Sequence, residues 1–148
     1  MARFSAEWRT AGAGSTTLPI ASLYATAAVR PRLVEVWAFN TTTTAVALRL
    51  VRLTTAGTQG STVTAAYEDD NSQSAVATAK DTHTVAPTVT NGLRPFLLGA
   101  AAGSGVIATF GGGKTPGLVI PNTTGDGIGL IVATGAGQIC DVAFIWDE

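Results

Sequence analysis

Few side chains in this sequence have chemistry to offer. The one histidine stands in Asp81-Thr82-His83-Thr84, and the one cysteine, Cys140, precedes Asp141. Nucleophilic catalysis of the Ser-His-Asp kind needs its three groups to converge in space. His83 falls in what reads as a loop leading into a strand, a surface position where alanine is expected to change stability by no more than about 0.5 kcal/mol. Ser104 lies in Ala102-Gly103-Ser104-Gly105-Val106, which lacks both outer glycines of a nucleophile elbow. Cys140, in an apolar strand beside a carboxylate, is expected to keep its proton and stay inert.

The run Gly111-Gly112-Gly113-Lys114-Thr115 resembles a phosphate-binding loop, in which backbone amides cradle phosphate and a lysine reaches it. Ala108 occupies the place of the required first glycine, and Pro116-Gly117 blocks the helix that should follow. The run therefore reads as a turn between strands, with Lys114 replaceable. One His and one Cys supply too few soft ligands for zinc. Glu68-Asp69-Asp70-Asn71 offers oxygens, but neighbours on a strand end point in alternate directions and the spaced ligands of a calcium loop are missing. Trp8, Trp37 and Trp146 could form a sugar-stacking platform, although Trp8 and Trp146 fall on the apolar faces of their strands and read as core. Trp37 shares a face with Glu35. No catalytic, cofactor or metal residue is assigned, and the chain reads as a protein that is not an enzyme.

The elements that must position these residues follow from composition. Nine Lys and Arg against ten Asp and Glu leave a net charge of −1, and only 13% of the 148 residues are charged. That argues against a nucleic-acid module, while 46% hydrophobic residues exclude ordinary disorder. The length suits one domain, residues 1–148. A single cysteine forms no internal disulfide. Met1 to Arg9 mixes charge through the segment and lacks the apolar centre of a signal peptide. Pro95 to Gly113 carries no charge, but a proline and six glycines break it, so no membrane span is expected.

Strand-forming residues dominate, in short runs separated by Gly, Pro, Asn or Asp. Phe4, Ala6 and Trp8 alternate with Arg3, Ser5, Glu7 and Arg9, and Val142, Phe144 and Trp146 alternate with Asp141, Ala143, Ile145 and Asp147. Both ends read as half-buried strands with an aromatic face. Further strands are expected near 17–24, 33–39, 45–53, 61–67, 83–90, 105–110, 117–120 and 128–133, with 72–81 either a short helix or a loop. Asn40 to Thr44 reads as a short loop, and Asp126-Gly127 as a tight reversal that accepts positive φ. Eight to ten short antiparallel strands without helical crossovers indicate an all-β, antiparallel, jelly-roll-like β-sandwich. An up-and-down barrel is the second choice. Val46, Leu48 and Leu50 share one face of a strand whose other face carries Val51 and Leu53 beside Arg49. This predicts either a bulge or cover on both faces, with a partner subunit as one source of that cover.

Charge is segregated along the chain. Arg30, Arg32, Arg49 and Arg52 accompany one acid, Glu35, whereas Glu68, Asp69, Asp70 and Asp81 accompany one base, Lys80. Patches of opposite sign on identical chains suit a head-to-tail contact around a closed ring, so Arg49, Arg52, Asp69 and Asp70 are the candidate subunit interface.

Gly117-Leu118-Val119-Ile120-Pro121-Asn122, then Gly127 to Val132, then Asp141 to Glu148, resembles the ends of small virion structural proteins of tailed bacteriophages. The uncharged Ala/Thr/Gly-rich β character is similar to capsid decoration proteins and tail subunits. The resemblance implies a sandwich that assembles with copies of itself, a trimer first, and with a phage major capsid protein. It implies neither nucleic-acid nor membrane partners, and synthesis in the host cytoplasm before incorporation into the virion. The function expected is a decoration or cement protein on the outside of a phage head. The alternatives are a tail or other virion subunit, or a carbohydrate-binding jelly-roll module.

Overall fold

The computed structural model describes residues 1–69, 73–112 and 115–148. In chain order its strands are β1 (Arg3–Arg9), β2 (Ala21–Tyr24), β3 (Arg32–Asn40), β4 (Val46–Leu53), β5 (Thr62–Val63), β6 (Ala66–Tyr67), β7 (Thr78–Lys80), β8 (Val89–Leu98), β9 (Gly105–Thr109), β10 (Gly111–Gly112), β11 (Thr115–Pro116), β12 (Leu118–Val119), β13 (Gly127–Thr134) and β14 (Cys140–Asp147). The described residues contain no helix. All strand pairs are antiparallel.

One six-stranded sheet runs β12-β3-β14-β1-β6, with β9 also paired to β3, the other six-stranded sheet runs β5-β7-β2-β13-β4-β8, and β10 pairs with β11 as a separate ribbon. Without the short strands, β1-β14-β3-β9 faces β2-β13-β4-β8. The chain crosses between sheets from β1 to β2, β2 to β3, β3 to β4, β8 to β9, β9 to β13 and β13 to β14. This is the eight-stranded, double Greek-key order of a jelly roll. The expected sandwich is therefore present, its eight principal strands accompanied by six of two or three residues each.

Alternation at the two ends builds the centre of the first sheet. Phe4 pairs with Trp146 and Ala6 with Phe144, so one face of β1 and β14 is large and apolar. Phe4, Phe144 and Trp146 are buried between the sheets with Leu33, Leu48, Leu50, Phe96, Ile128 and Leu130. The opposite face carries Arg3 on Asp147 at 2.8 Å and Arg9 on Asp141 at 2.7 Å, ion pairs set directly across the strand register. Being exposed, such pairs fix register more than they add stability.

The broken alternation of β4 has both expected causes. Its pairing with β8 shifts register on either side of Val51, and its outer face is covered. Val51, Leu53, Ile131 and Tyr24 form a second buried cluster outside the second sheet, joined by Ala56 and Val89. The cover is the chain's own. Segments 54–60 and 81–88 meet at an isolated bridge between Thr58 and Val85, and the Tyr24 hydroxyl donates to the Ala56 carbonyl at 3.3 Å. The apolar residues on the outer face of β4 thus need no partner subunit to bury them.

Other expectations need correction. Segment 83–90 is mostly this covering loop; the strand begins at Val89 and runs to Leu98. Neither the helix nor the loop expected over 72–81 accounts for β7, which pairs with β2 and β5. The reversal before β13 turns at Thr123–Asp126, where Gly125 takes φ of 96° and the Asp126 amide donates to the Thr123 carbonyl. Gly127 instead begins the strand. A Cβ there would lie 2.7 Å from the Tyr24 ring, so glycine at that position allows close packing rather than the turn.

Candidate functional site

His83 is not a surface residue. It is 2% exposed, its Nε2 lies 2.8 Å from Ser22 Oγ, and its ring packs on Tyr24 with centroids 5.9 Å apart. The backbone amide of His83 donates to the Pro19 carbonyl, which seats the covering loop over β2. Burial pushes the imidazole's pKa down, opposed by the backbone of Val85, and among the described residues Nδ1 has no hydrogen-bond partner. A serine and a histidine do meet, but Ser22 is fully buried and, among the described residues, no carboxylate orients the ring. The pair holds a loop on a sheet and lacks the access that a nucleophile needs.

The other reactive groups are similarly occupied. Cys140 is buried, and burial with the neighbouring Asp141 charge pushes its thiol up to about 11, which suits an inert thiol. Ser104 Oγ accepts the Gly99 amide at 2.7 Å and closes the turn between β8 and β9. Asp81 accepts the Trp8 indole N–H at 3.2 Å and the amides of Ala11 and Thr82. Among the described residues no three His, Cys, Asp or Glu side chains gather as a metal site would require. No helix among them is long and apolar enough to cross a membrane. Lys114, Asp70 and Asn71 lie outside the described residues.

The candidate interface residues occupy different surroundings. Arg49 is exposed on the outer face of β4, opposite Ile131, with its aliphatic stem against Gly92. Arg52 pairs with Ile128 and so falls on the inner face, at the open end of the sandwich. There its guanidinium donates to the Val119 carbonyl of β12 at 2.8 Å and clasps one sheet to the other. Asp69 accepts the Arg3 amide at 2.9 Å, beside the edge of the first sheet. Arg49 and Arg52 therefore do not form one outward patch. Arg52→Ala should lower unfolding free energy by about 1–2 kcal/mol and Arg49→Ala by no more than about 0.5, compared by urea denaturation.

The most site-like feature is a cleft of about 300 Å³ on the outer face of the first sheet. Pairing registers lay out its rows. Across β9, β3, β14 and β1 one row reads Ile107, Trp37, Ala143, Glu7, and the next reads Gly105, Phe39, Asp141, Arg9. Ala143 is the small residue among large ones, so it forms a floor with aromatic walls on one side and Glu7 on the other. Trp37 is fixed by its indole N–H, which donates to Glu35 Oε2 at 2.7 Å, while Thr109 donates to the other oxygen of Glu35 at 3.0 Å. Arg9 holds Asp141 through two hydrogen bonds, of 2.7 and 2.9 Å, and this pairing lowers the carboxyl's pKa.

The three-tryptophan platform does not form. Trp146 is fully buried, half-buried Trp8 packs edge-on against Phe144 and borders the cleft, and Trp37 turns outward into it. Phe39, Glu7, Asp141 and Ala143 were not expected at a site. The two-residue spacing of Trp37 and Phe39 places them on one face, but only strand register brings the other three beside them. Comparison with known proteins found no matching family model, no matching curated protein and no matching solved structure.

Proposed function

We propose that the chain is a structural virion protein, a decoration subunit bound to the outside of a tailed-phage head, acting by assembly and not by catalysis. The observation that carries this reading is where large apolar side chains remain outside. Leu97 is 80% exposed on β8 and Ile107 is 50% exposed on β9, the edge strands joined by the Gly99–Ser104 turn. Exposed apolar side chains near unpaired strand edges suit burial by another chain, and Pro95 and Arg94 within β8 discourage uncontrolled strand addition. The jelly roll is also among the folds from which capsid proteins are built.

A trimer in solution is the expected assembly, and particles are expected to carry the protein in many copies on their heads. A wild-type monomer by light scattering at about 100 μM would defeat the trimer. Particles that lack the protein, or carry it on tails alone, would defeat the decoration role. Because Arg52 and Asp69 are both committed within the chain, the charge-pairing idea is tested with Arg49→Glu alone, which should break the oligomer.

A further inference from the structure

We propose that the cleft over Ala143 is a saccharide site that takes one pyranose ring. It goes beyond the assembly reading and requires no second chain, with Ile107, the assembly contact on β9, bordering it beside Trp37.

The chemistry of the walls selects the ligand. The one polar atom of the Trp37 side chain is spent on Glu35. What Trp37 and Phe39 present is aromatic surface, suited to the apolar C–H face of a sugar ring. Glu7 is exposed and can only accept, so the ligand must donate to it. Asp141 and Arg9 stand side by side as acceptor and donor, and a sugar hydroxyl, which both donates and accepts, matches such a pair. An ammonium ligand would also satisfy aromatic rings and a carboxylate. It would, however, face the positive fork of Arg9 across Asp141, whose charge that fork already offsets. The cleft is at the lower end of small-molecule sites, which span roughly 300–1,000 Å³. The residues that line the cleft all sit on β1, β3 and β14, strands held by continuous pairing there, so the site is formed before the ligand arrives.

The test begins with the intact protein on a glycan array, followed by titration of the bound sugars using backbone amide chemical shifts and tryptophan fluorescence. At least one saccharide should bind with a Kd of about 1 mM or tighter, with shifts centred on Trp37, Ala143 and Glu7. Ala143→Leu, which fills the floor, and Glu7→Ala, at an exposed position, should each weaken binding at least about tenfold. Each variant is read beside its own melting curve, so that a loss of fold in one leaves the other to decide. Silence across the array would overturn the proposal, as would affinity unchanged in both variants. Tetramethylammonium in the same titration is the competing probe: shifts at the cleft with that cation and none with sugars would reassign the site to ammonium ligands and defeat the saccharide.

Discussion

Trp146→Ala is expected to lower the unfolding free energy by about 3–5 kcal/mol, a large share of the 5–15 kcal/mol that holds a typical domain folded. Three losses combine at this position. The indole is fully buried between the sheets, so its removal leaves a cavity in a close-packed interior. Its ring stacks on Phe4 with centroids 5.9 Å apart, a contact that joins β14 to β1 on their inner face. Its N–H donates to Glu148 Oε1 at 2.8 Å, and that carboxylate also accepts the amides of Val76 and Ala77. Truncation therefore disturbs how segment 76–77 is tied to the first sheet as well. In thermal unfolding the melting temperature should fall by about 6–20 °C, given roughly 2–4 °C per kcal/mol for a chain of this size. Ile145→Ala, the outward neighbour, should cost less than about 1 kcal/mol in the same assay. A melting curve like that of the wild type for Trp146→Ala would remove the residue from the core and discredit the register of β14.

The inward position of Trp146 could be read from the sequence because both terminal strands alternate, apolar inside and, Ile145 apart, charged or small outside. Such a pattern survives whatever the rest of the chain does. β8 was less legible. It is an edge strand, exposed along much of its length, and it contains Gly92 and Pro95. Its residues thus carry the punctuation of a loop although they pair with β4. Arg52 was misread for a related reason. A long charged side chain on the inner face is compatible with burial only at the open end of a sandwich, where its head can reach a carbonyl, and nothing in the local pattern says where β4 meets that end. The cleft shows the same limit. Trp37 and Phe39 share a face by spacing alone, whereas Glu7 and Ala143 join them through pairings between residues more than a hundred positions apart in sequence.

His83→Ala is the second large effect, expected to destabilise the fold by about 2–4 kcal/mol, where a surface loop residue would change it by no more than about 0.5. The variant removes a ring that packs on Tyr24 and deprives Ser22 Oγ, itself fully buried, of its partner. The wild type should also carry a pH signature of this residue. In the folded state burial holds the imidazole below its ordinary pKa of 6.5, so between the folded value and 6.5 the unfolded chain binds the extra proton and the folded chain does not. Stability contributed by neutral His83 is therefore complete above about pH 6.5 and falls as the pH drops from there toward the folded value, then levels off. The groups facing the ring are Ser22 and Tyr24 from β2 and the backbone of Val85 from its own loop. Tyr24 is itself shifted upward by burial and stays neutral throughout this range. Asp141, held below its ordinary value by Arg9, loses its contribution only at lower pH, below about 4, so it does not mask the effect. Urea denaturation at a series of pH values from about 7 to 5 should show a falling midpoint in the wild type and a flatter one in His83→Gln, which removes the titrating ring. Equal slopes for the two proteins would show that the proton lost or gained in that range belongs to some other group, and that His83 is not sealed beneath the loop.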